Sequence, residues 1–269
     1  MFDAAIMQRS FGAAKVALDR GTLTELSQSG SAKVMLPRTY GAAPELVFLN
    51  TSGGLTAGDR LEYSVTLGPD TRAIATTQTA ERAYRADGEP AQATVSLHVA
   101  SGGRLDWLPQ DTILFDGSSF ARRTDIRLCG DAVFLGLETM VLGRQAMGET
   151  VREIFLRDSR KVTRDGQVEV FDPLRLDSVA INRAGSPALL SNARAFSVLI
   201  YSGPDADRHL QDLRASLDEP GVEAAVSALP GRMILRACAA DAWPLRRQIV
   251  RLIAILRPGG MPRVWQSQE

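Results

Sequence analysis

The sequence predicts a mainly β protein: a large body of stacked or coiled β-sheet followed by two C-terminal α-helices. Three observations carry this. Apolar and polar side chains alternate at period two through much of the first two hundred residues. Turn-forming pairs separate these segments at short intervals, and no helical pattern intervenes. Only beyond about residue 204 does the apolar spacing lengthen to that of a helix. The chain, 1–269, reads as a single unit, with the β body over about 1–203 and the helix-containing part over about 204–269.

Leu61, Tyr63, Val65 and Leu67 place one face of a strand in the core and leave Glu62, Ser64 and Thr66 on the other. Val95, Leu97 and Val99 repeat the pattern, with Thr94, Ser96 and His98 opposite. Further strands are expected at Ala73–Thr77, Leu105–Leu108, Ile126–Leu128, Val133–Leu137, Ile154–Arg157, Val168–Phe171 and Ser197–Tyr201. Gly68-Pro69-Asp70, Asp87-Gly88, Ser101-Gly102-Gly103, Asp116-Gly117 and Gly130-Asp131 supply the turns between them. Asp165-Gly166 is the strongest hairpin signal. A sandwich, a barrel or a coiled sheet stack satisfies this pattern, and the absence of a strict repeat means that a regular solenoid is not demanded.

Asp205 or Asp207 is expected to cap a helix running to about Leu217, with Leu210, Leu213 and Leu217 on one face and Pro220-Gly221 ending it. Val222–Val226 and Met233–Ala237 read as strands. Asp241 is expected to cap a second helix, with Pro244 tolerated in its first turn and Leu245, Ile249, Leu252, Ile253 and Leu256 as its apolar stripe. Arg246, Arg247 and Arg251 fall opposite and read as a solvated face that would also suit an acidic partner. Pro258-Gly259-Gly260 stops the helix.

Lys+Arg and Asp+Glu both number 31, a balance that argues against nucleic acid or a polybasic membrane anchor as partner. Two cysteines, Cys129 and Cys238, exclude a disulfide framework. With His98 and His209 they lack the spacing of a closed zinc site. No apolar stretch has the length of a membrane span, and the N-terminus lacks the apolar core of a signal peptide, so a cytoplasmic protein is expected.

Three segments stand out. In Asn50–Asp59, Gly53 and Gly58 have the spacing of phosphate-loop glycines, but Asp59 stands where a lysine should, and a strand follows instead of a helix. A glycine-rich bend with Asp59 as a turn residue is the simpler reading. In Asp106–Gly117 a strand bends at Pro109, with Trp107 in the core. In Glu138–Glu149, Glu138 follows an apolar run and needs a partner if buried, for which Arg144 is the nearest candidate in sequence.

Taken in order, these segments resemble the UreD (UreH) family of urease accessory proteins. The resemblance rests on Gly53–Asp59, on Gln78-Thr79-Ala80 through Tyr84-Arg85, and on Trp107-Leu108-Pro109-Gln110-Asp111 through Phe115. It continues through Glu138 with Leu142–Glu149, Asp172–Leu176 and the terminal Pro262-Arg263-Val264-Trp265. At Glu81-Arg82 the chain departs from the small hydroxyl residue and lysine common in the family, which leaves this loop without an assigned role.

The resemblance implies a mainly β fold and a maturation factor that is not an enzyme. It implies binding to urease apoprotein and to UreF, which brings UreG, and a homo-oligomer assembled through that complex is left open. It implies no tightly bound cofactor, only transient nickel(II) passing Asp59, Glu138 and Asp172. Carboxylates and water suit such passage because they hold a borderline dication less tightly than imidazole or thiolate. Two alternatives compete. One is a β-fold carbohydrate-active enzyme using Asp59 and Glu138 as paired carboxylates. The other is an interaction scaffold without metal passage.

Overall fold

The computed structural model describes residues 9–38, 43–183, 185–257 and 259–265. Met1–Gln8 of the N-terminus and Pro258 of the predicted stop signal lie outside the described residues. The chain begins with β1 (Phe11–Asp19), β2 (Thr22–Gly30), β3 (Ala32–Met35), β4 (Glu45–Asn50), β5 (Arg60–Leu67) and β6 (Arg72–Thr77). It continues with β7 (Glu81–Ala83), β8 (Ala91–Val99), β9 (Arg104–Trp107), β10 (Thr112–Leu114), β11 (Ser118–Leu128) and β12 (Val133–Leu142). The long hairpin β13 (Ile154–Arg164) and β14 (Gln167–Asp177) leads into α1 (Ser178–Ile181) and β15 (Ala195–Ser202). Last come α2 (Ala206–Ala215), β16 (Val222–Leu229), β17 (Arg232–Ala239) and α3 (Ala242–Leu256).

The strands form two sheets. One has the order β14-β13-β11-β8-β5-β1-β2, the other β16-β17-β15-β12-β9-β6-β4-β3. Between β4 and β13 the chain crosses repeatedly from sheet to sheet. Successive passes through each sheet pair in parallel, β1 with β5, β5 with β8, β8 with β11 and β11 with β13 in the first, and β4, β6, β9 and β12 likewise in the second. The body is therefore a solenoid-like coil, one of the three architectures the alternation allows. No repeat marks it in sequence because the coil repeats its register and its turns, not its residues. The turns stack: Asp131 Oδ1 accepts the Gly102 N–H at 2.7 Å, and Asp165 Oδ1 accepts the Gly130 N–H at 3.0 Å. Asp165 and Gly166 take φ of 48° and 81° and close the β13–β14 hairpin, as their sequence predicts.

The inner faces of the two sheets enclose the larger core, including Phe48, Trp107, Phe120, Phe134 and Leu156. α2 and α3 cover the outer face of the second sheet and create another core from Leu108, Leu137, Leu199, Tyr201, Leu245 and Leu252. Strand β12 is therefore buried on both faces, which explains why Val133–Leu137 reads as an unbroken apolar run. Both predicted C-terminal helices form, and α1 adds one short turn that the sequence reading lacks. Asp241 caps α3, accepting the Trp243 N–H at 2.7 Å. Asp205 precedes α2 but does not cap it; its carboxylate instead accepts the Tyr201 hydroxyl at 2.6 Å. α2 ends at Ala215, ahead of the expected Leu217. Arg247 and Arg251 form the solvated face expected of them while also reaching acidic neighbours, and Arg246 is more covered. Arg246 stacks on Trp265 at 4.1 Å, Arg247 pairs with Glu219 and Arg251 with Asp218 at 2.9 Å. Among the described residues no helix is long and apolar enough to cross a membrane.

Candidate functional site

Charged residues occupy core positions in three neighbouring strands. Along β11 the inward positions are Phe120, Arg122, Thr124 and Ile126; along β13 they are Leu156, Asp158, Arg160 and Val162; along β14 they include Val170, Asp172 and Leu176. The register sets Arg122 beside Asp158 and Arg160 beside Asp172. On the facing sheet, Glu138, Val198 and Arg236 lie in one row across β12, β15 and β17. Because each side chain stands at an inward position, the two rows meet between the sheets.

The result is an unbroken string of alternating charge. Trp107 Nε1–H donates to Glu138 at 3.3 Å, and Arg122 pairs with Glu138 at 2.5 Å. Arg122 also forks onto Asp158, Nε and Nη2 donating at 3.0 and 2.9 Å, and gives its remaining nitrogen to Thr112 Oγ1 at 3.2 Å. Asp158 takes a further bond from Arg160 Nη1 at 2.8 Å. Arg160 Nε then lies 2.9 Å from Asp172, and Arg236 closes the string on the other Asp172 oxygen. The Arg160–Asp172 contact lies off the line of an N–H···O bond, so it is an electrostatic contact. Arg160 Nη2 has no hydrogen-bond partner among the described residues. Of the six charges, only Arg236 is substantially exposed.

Burial raises the Glu138 carboxyl above the ordinary glutamate value, and the Arg122 charge offsets this only in part. Burial pulls Asp158 the same way, but Arg122 and Arg160 outweigh it and hold that carboxyl below the usual aspartate range. Asp158 is thus the fixed anion of the string and Glu138 the one that readily takes a proton.

Cavities follow the string and continue beyond it. A groove of about 580 Å³ between β14 and the β16–β17 hairpin is lined by Arg160, Asp172, Leu174, Phe196, Arg236 and Cys238. A space of about 10 Å³ lies behind Arg160 and Val198, against Glu138 and Trp107. A third, about 40 Å³, runs from Glu138 and Trp107 to Tyr63, Thr77 and Glu81. A fourth, also about 40 Å³, shares Tyr63, Thr77 and Glu81 and borders Asn50, Gly53 and Arg82. Each shares lining residues with the next. Glu81 accepts from the Asn50 amide at 3.2 Å, and burial raises its carboxyl, with the Arg82 N–H and Asn50 opposing. Among the described residues no three or more His, Cys, Asp or Glu side chains gather into a set able to hold a metal ion.

The structure brings Glu138 and Asp172 onto one string and leaves Asp59 apart. Asp59 is buried in the turn leading into β5, where its two oxygens accept the Ser10 and Thr56 N–H groups at 2.7 and 2.8 Å. The two spaces described for Glu138 do not include Asp59 in their linings, and Asp59 is engaged by backbone N–H groups, an arrangement that does not favour the paired-carboxylate alternative. Replacing Asp59 with alanine leaves two backbone donors unpaired. The expected cost is about 1–3 kcal/mol, read as a lower urea midpoint with the m-value unchanged.

Glu138 does not pair with Arg144, its nearest candidate in sequence. Arg144 instead binds Glu149 at 2.9 Å and lies 4.5 Å over the Phe115 ring. Around them the singled-out segments converge at one end of the coil. Tyr84 packs edge-on against Phe115, and its hydroxyl donates to Gly53 O at 3.1 Å. Gly54, at φ 152°, lies so close to Tyr84 that a Cβ there would sit 2.3 Å from the ring, so no other residue fits. Arg122, Asp158, Arg160 and Arg236 went unnoticed in the sequence. The signal is present for Arg122, Asp158 and Arg160, each a charge at the apolar parity of its strand; Arg236 falls on the other parity of β17 from Met233, Leu235 and Ala237 and reads as an ordinary exposed charge.

The profile of the UreD urease accessory protein family matches residues 11–266 of the chain. The chain is 54% identical to a urease accessory protein UreD of Paracoccus denitrificans, over 99% of its own length and 96% of the relative's. It is 51% identical to one from Cereibacter sphaeroides (strain ATCC 17025), covering 97% and 96%. With one from Dinoroseobacter shibae the identity is 45%, covering 97% and 93%.

Proposed function

The chain belongs to the UreD urease accessory protein family and serves urease maturation, and from that premise we propose that it is a non-enzymatic conduit and scaffold that passes nickel(II) toward urease apoprotein. One observation carries the reading: a succession of cavities, each sharing walls with the next, runs along Asp172 and Glu138 to Glu81. A dication about 4 Å from a lone carboxylate gains about 8 kcal/mol at an effective dielectric near 20, and loses as much beside a guanidinium. A path lined by both in alternation holds the ion weakly everywhere, as passage requires. Glu138 and Asp172 are the cargo's contacts, joined by Glu81 at the far end. Asp59 enters the proposal as a turn cap that shapes the glycine-rich bend.

The partners proposed are urease apoprotein and UreF, with UreG reached through UreF. The test uses the full chain co-purified with urease apoprotein and UreF, followed by activation with nickel chloride. Glu138→Gln and Asp172→Asn should assemble as wild type does while urease activity falls severalfold. Wild-type activation by both variants would overturn the conduit; failure to co-purify with either partner would overturn the scaffold.

A further inference from the structure

We infer that Arg160 is a resident counter-cation that partitions the interior path, occupying the place a dication would take between Asp158 and Asp172 and keeping the resting chain free of nickel. This rests on the conduit reading above and deepens it. Three observations meet at this residue. Arg160 and Val198 line both the 580 Å³ groove and the 10 Å³ space behind it, so the Arg160 side chain is the charged part of the wall between them. A space of about that size admits one water at most, so no hydrated ion passes while the wall stands. Arg160 is also the less firmly held of the two buried arginines in the string. Arg122 is forked onto Asp158, whereas Arg160 has one well-formed bond, an off-line contact and a buried Nη2 without a partner. A buried guanidinium with idle donors is the element that gives way at least cost.

Charge points the same way. With Glu138 ionised, Glu138, Asp158 and Asp172 are balanced by Arg122, Arg160 and Arg236, one for one. Removing Arg160 leaves each carboxylate one guanidinium, Arg122 for Glu138 and Asp158 and Arg236 for Asp172. The string then carries one negative charge in excess, with two carboxylates flanking an empty seat.

The experiment compares thermal unfolding of the full chain with and without nickel chloride, using magnesium chloride at equal ionic strength as control. Arg160→Gln should show a saturable nickel-dependent rise in Tm, about 5–10 °C once nickel exceeds the apparent Kd a hundredfold. Wild type, Arg160→Lys and the double variant Arg160→Gln/Asp172→Asn should show none. A merely structural role for Arg160 would lower Tm without making it respond to nickel. Should Arg160→Gln fail to fold, Arg160→Met, which keeps an unbranched apolar stem and removes the charge, vacates the same seat and should show the same response. No nickel-dependent rise in whichever variant folds, or an equal rise in wild type, overturns the inference. Urease activation is scored separately. Glu138→Gln and Asp172→Asn both activating like wild type would sink the conduit while leaving the nickel response of Arg160→Gln to be read on its own.

Discussion

Asp158→Asn is expected to destabilise the protein by about 3–5 kcal/mol, lowering Tm by roughly 10 °C. Asp158 is shared by two buried arginines, through the Arg122 fork and the Arg160 Nη1 bond. Asparagine keeps the shape and removes the charge, leaving two buried guanidiniums with too little negative charge nearby. That is the costly way to break a buried ion pair: the survivor stays charged and desolvated. Glu138→Gln should behave differently, staying within about 1 kcal/mol of wild type. Burial already pushes the Glu138 carboxyl toward its neutral form, and Arg122 retains its fork on Asp158 without it.

The two residues also predict opposite pH dependence. The Asp158 carboxyl is lowered in the fold, so its contribution is complete above the unfolded aspartate value and fades as pH falls through the lower folded one. The gap between wild type and Asp158→Asn should therefore be widest at neutral pH and narrow below about pH 4. The Glu138 carboxyl is raised, so ionising it costs stability as pH rises through the folded value. Glu138→Gln removes that cost, and its stability curve should be flatter than wild type between about pH 4.5 and neutrality. Urea titrations across pH measure both. A gap for Asp158→Asn that widens in acid would contradict the charge assignment.

The sheets were legible wherever a strand had one wet face. Leu61–Leu67 and Val95–Val99 declared themselves by alternation and lie within β5 and β8. β2 could not be read this way, because Thr22–Gly30 is exposed or half-exposed along its whole length and has no apolar face to show. β11 and β13 were recognised only as Ile126–Leu128 and Ile154–Arg157, since the alternation breaks at Arg122, Asp158 and Arg160. Those breaks are the interior string itself. A charge at an inward position looks like the end of a strand until a partner charge on the neighbouring strand is found. That partner is set by register, which sequence alone does not fix. Glu138 and Asp172 were reached through family resemblance, and the arginines that neutralise them were not.

Trp265→Ala is expected to cost about 3–5 kcal/mol although the residue lies near the end of the chain. The indole is 4% exposed, and its N–H donates to Leu108 O at 2.9 Å and Thr76 Oγ1 at 3.2 Å. Arg246 of α3 covers one ring face, and Gln110 holds the neighbouring Val264 O at 2.9 Å. The terminal Pro-Arg-Val-Trp thus locks onto the Trp-Leu-Pro-Gln bend, which explains why both belong to one ordered set. Trp265→Phe restores much of the volume but not the N–H, and should recover most of the loss, leaving about 1 kcal/mol. Trp243→Ala, at a residue 52% exposed, should shift stability by no more than about 0.5 kcal/mol. The bend carries Trp107, whose indole holds Glu138, so loosening the C-terminus reaches the interior string through two adjacent residues. Loss of urease activation in Trp265→Ala should follow the folded fraction and return at temperatures well below its Tm. Loss in Glu138→Gln should persist at every temperature, because there the fold is intact and a contact of the proposed path is missing.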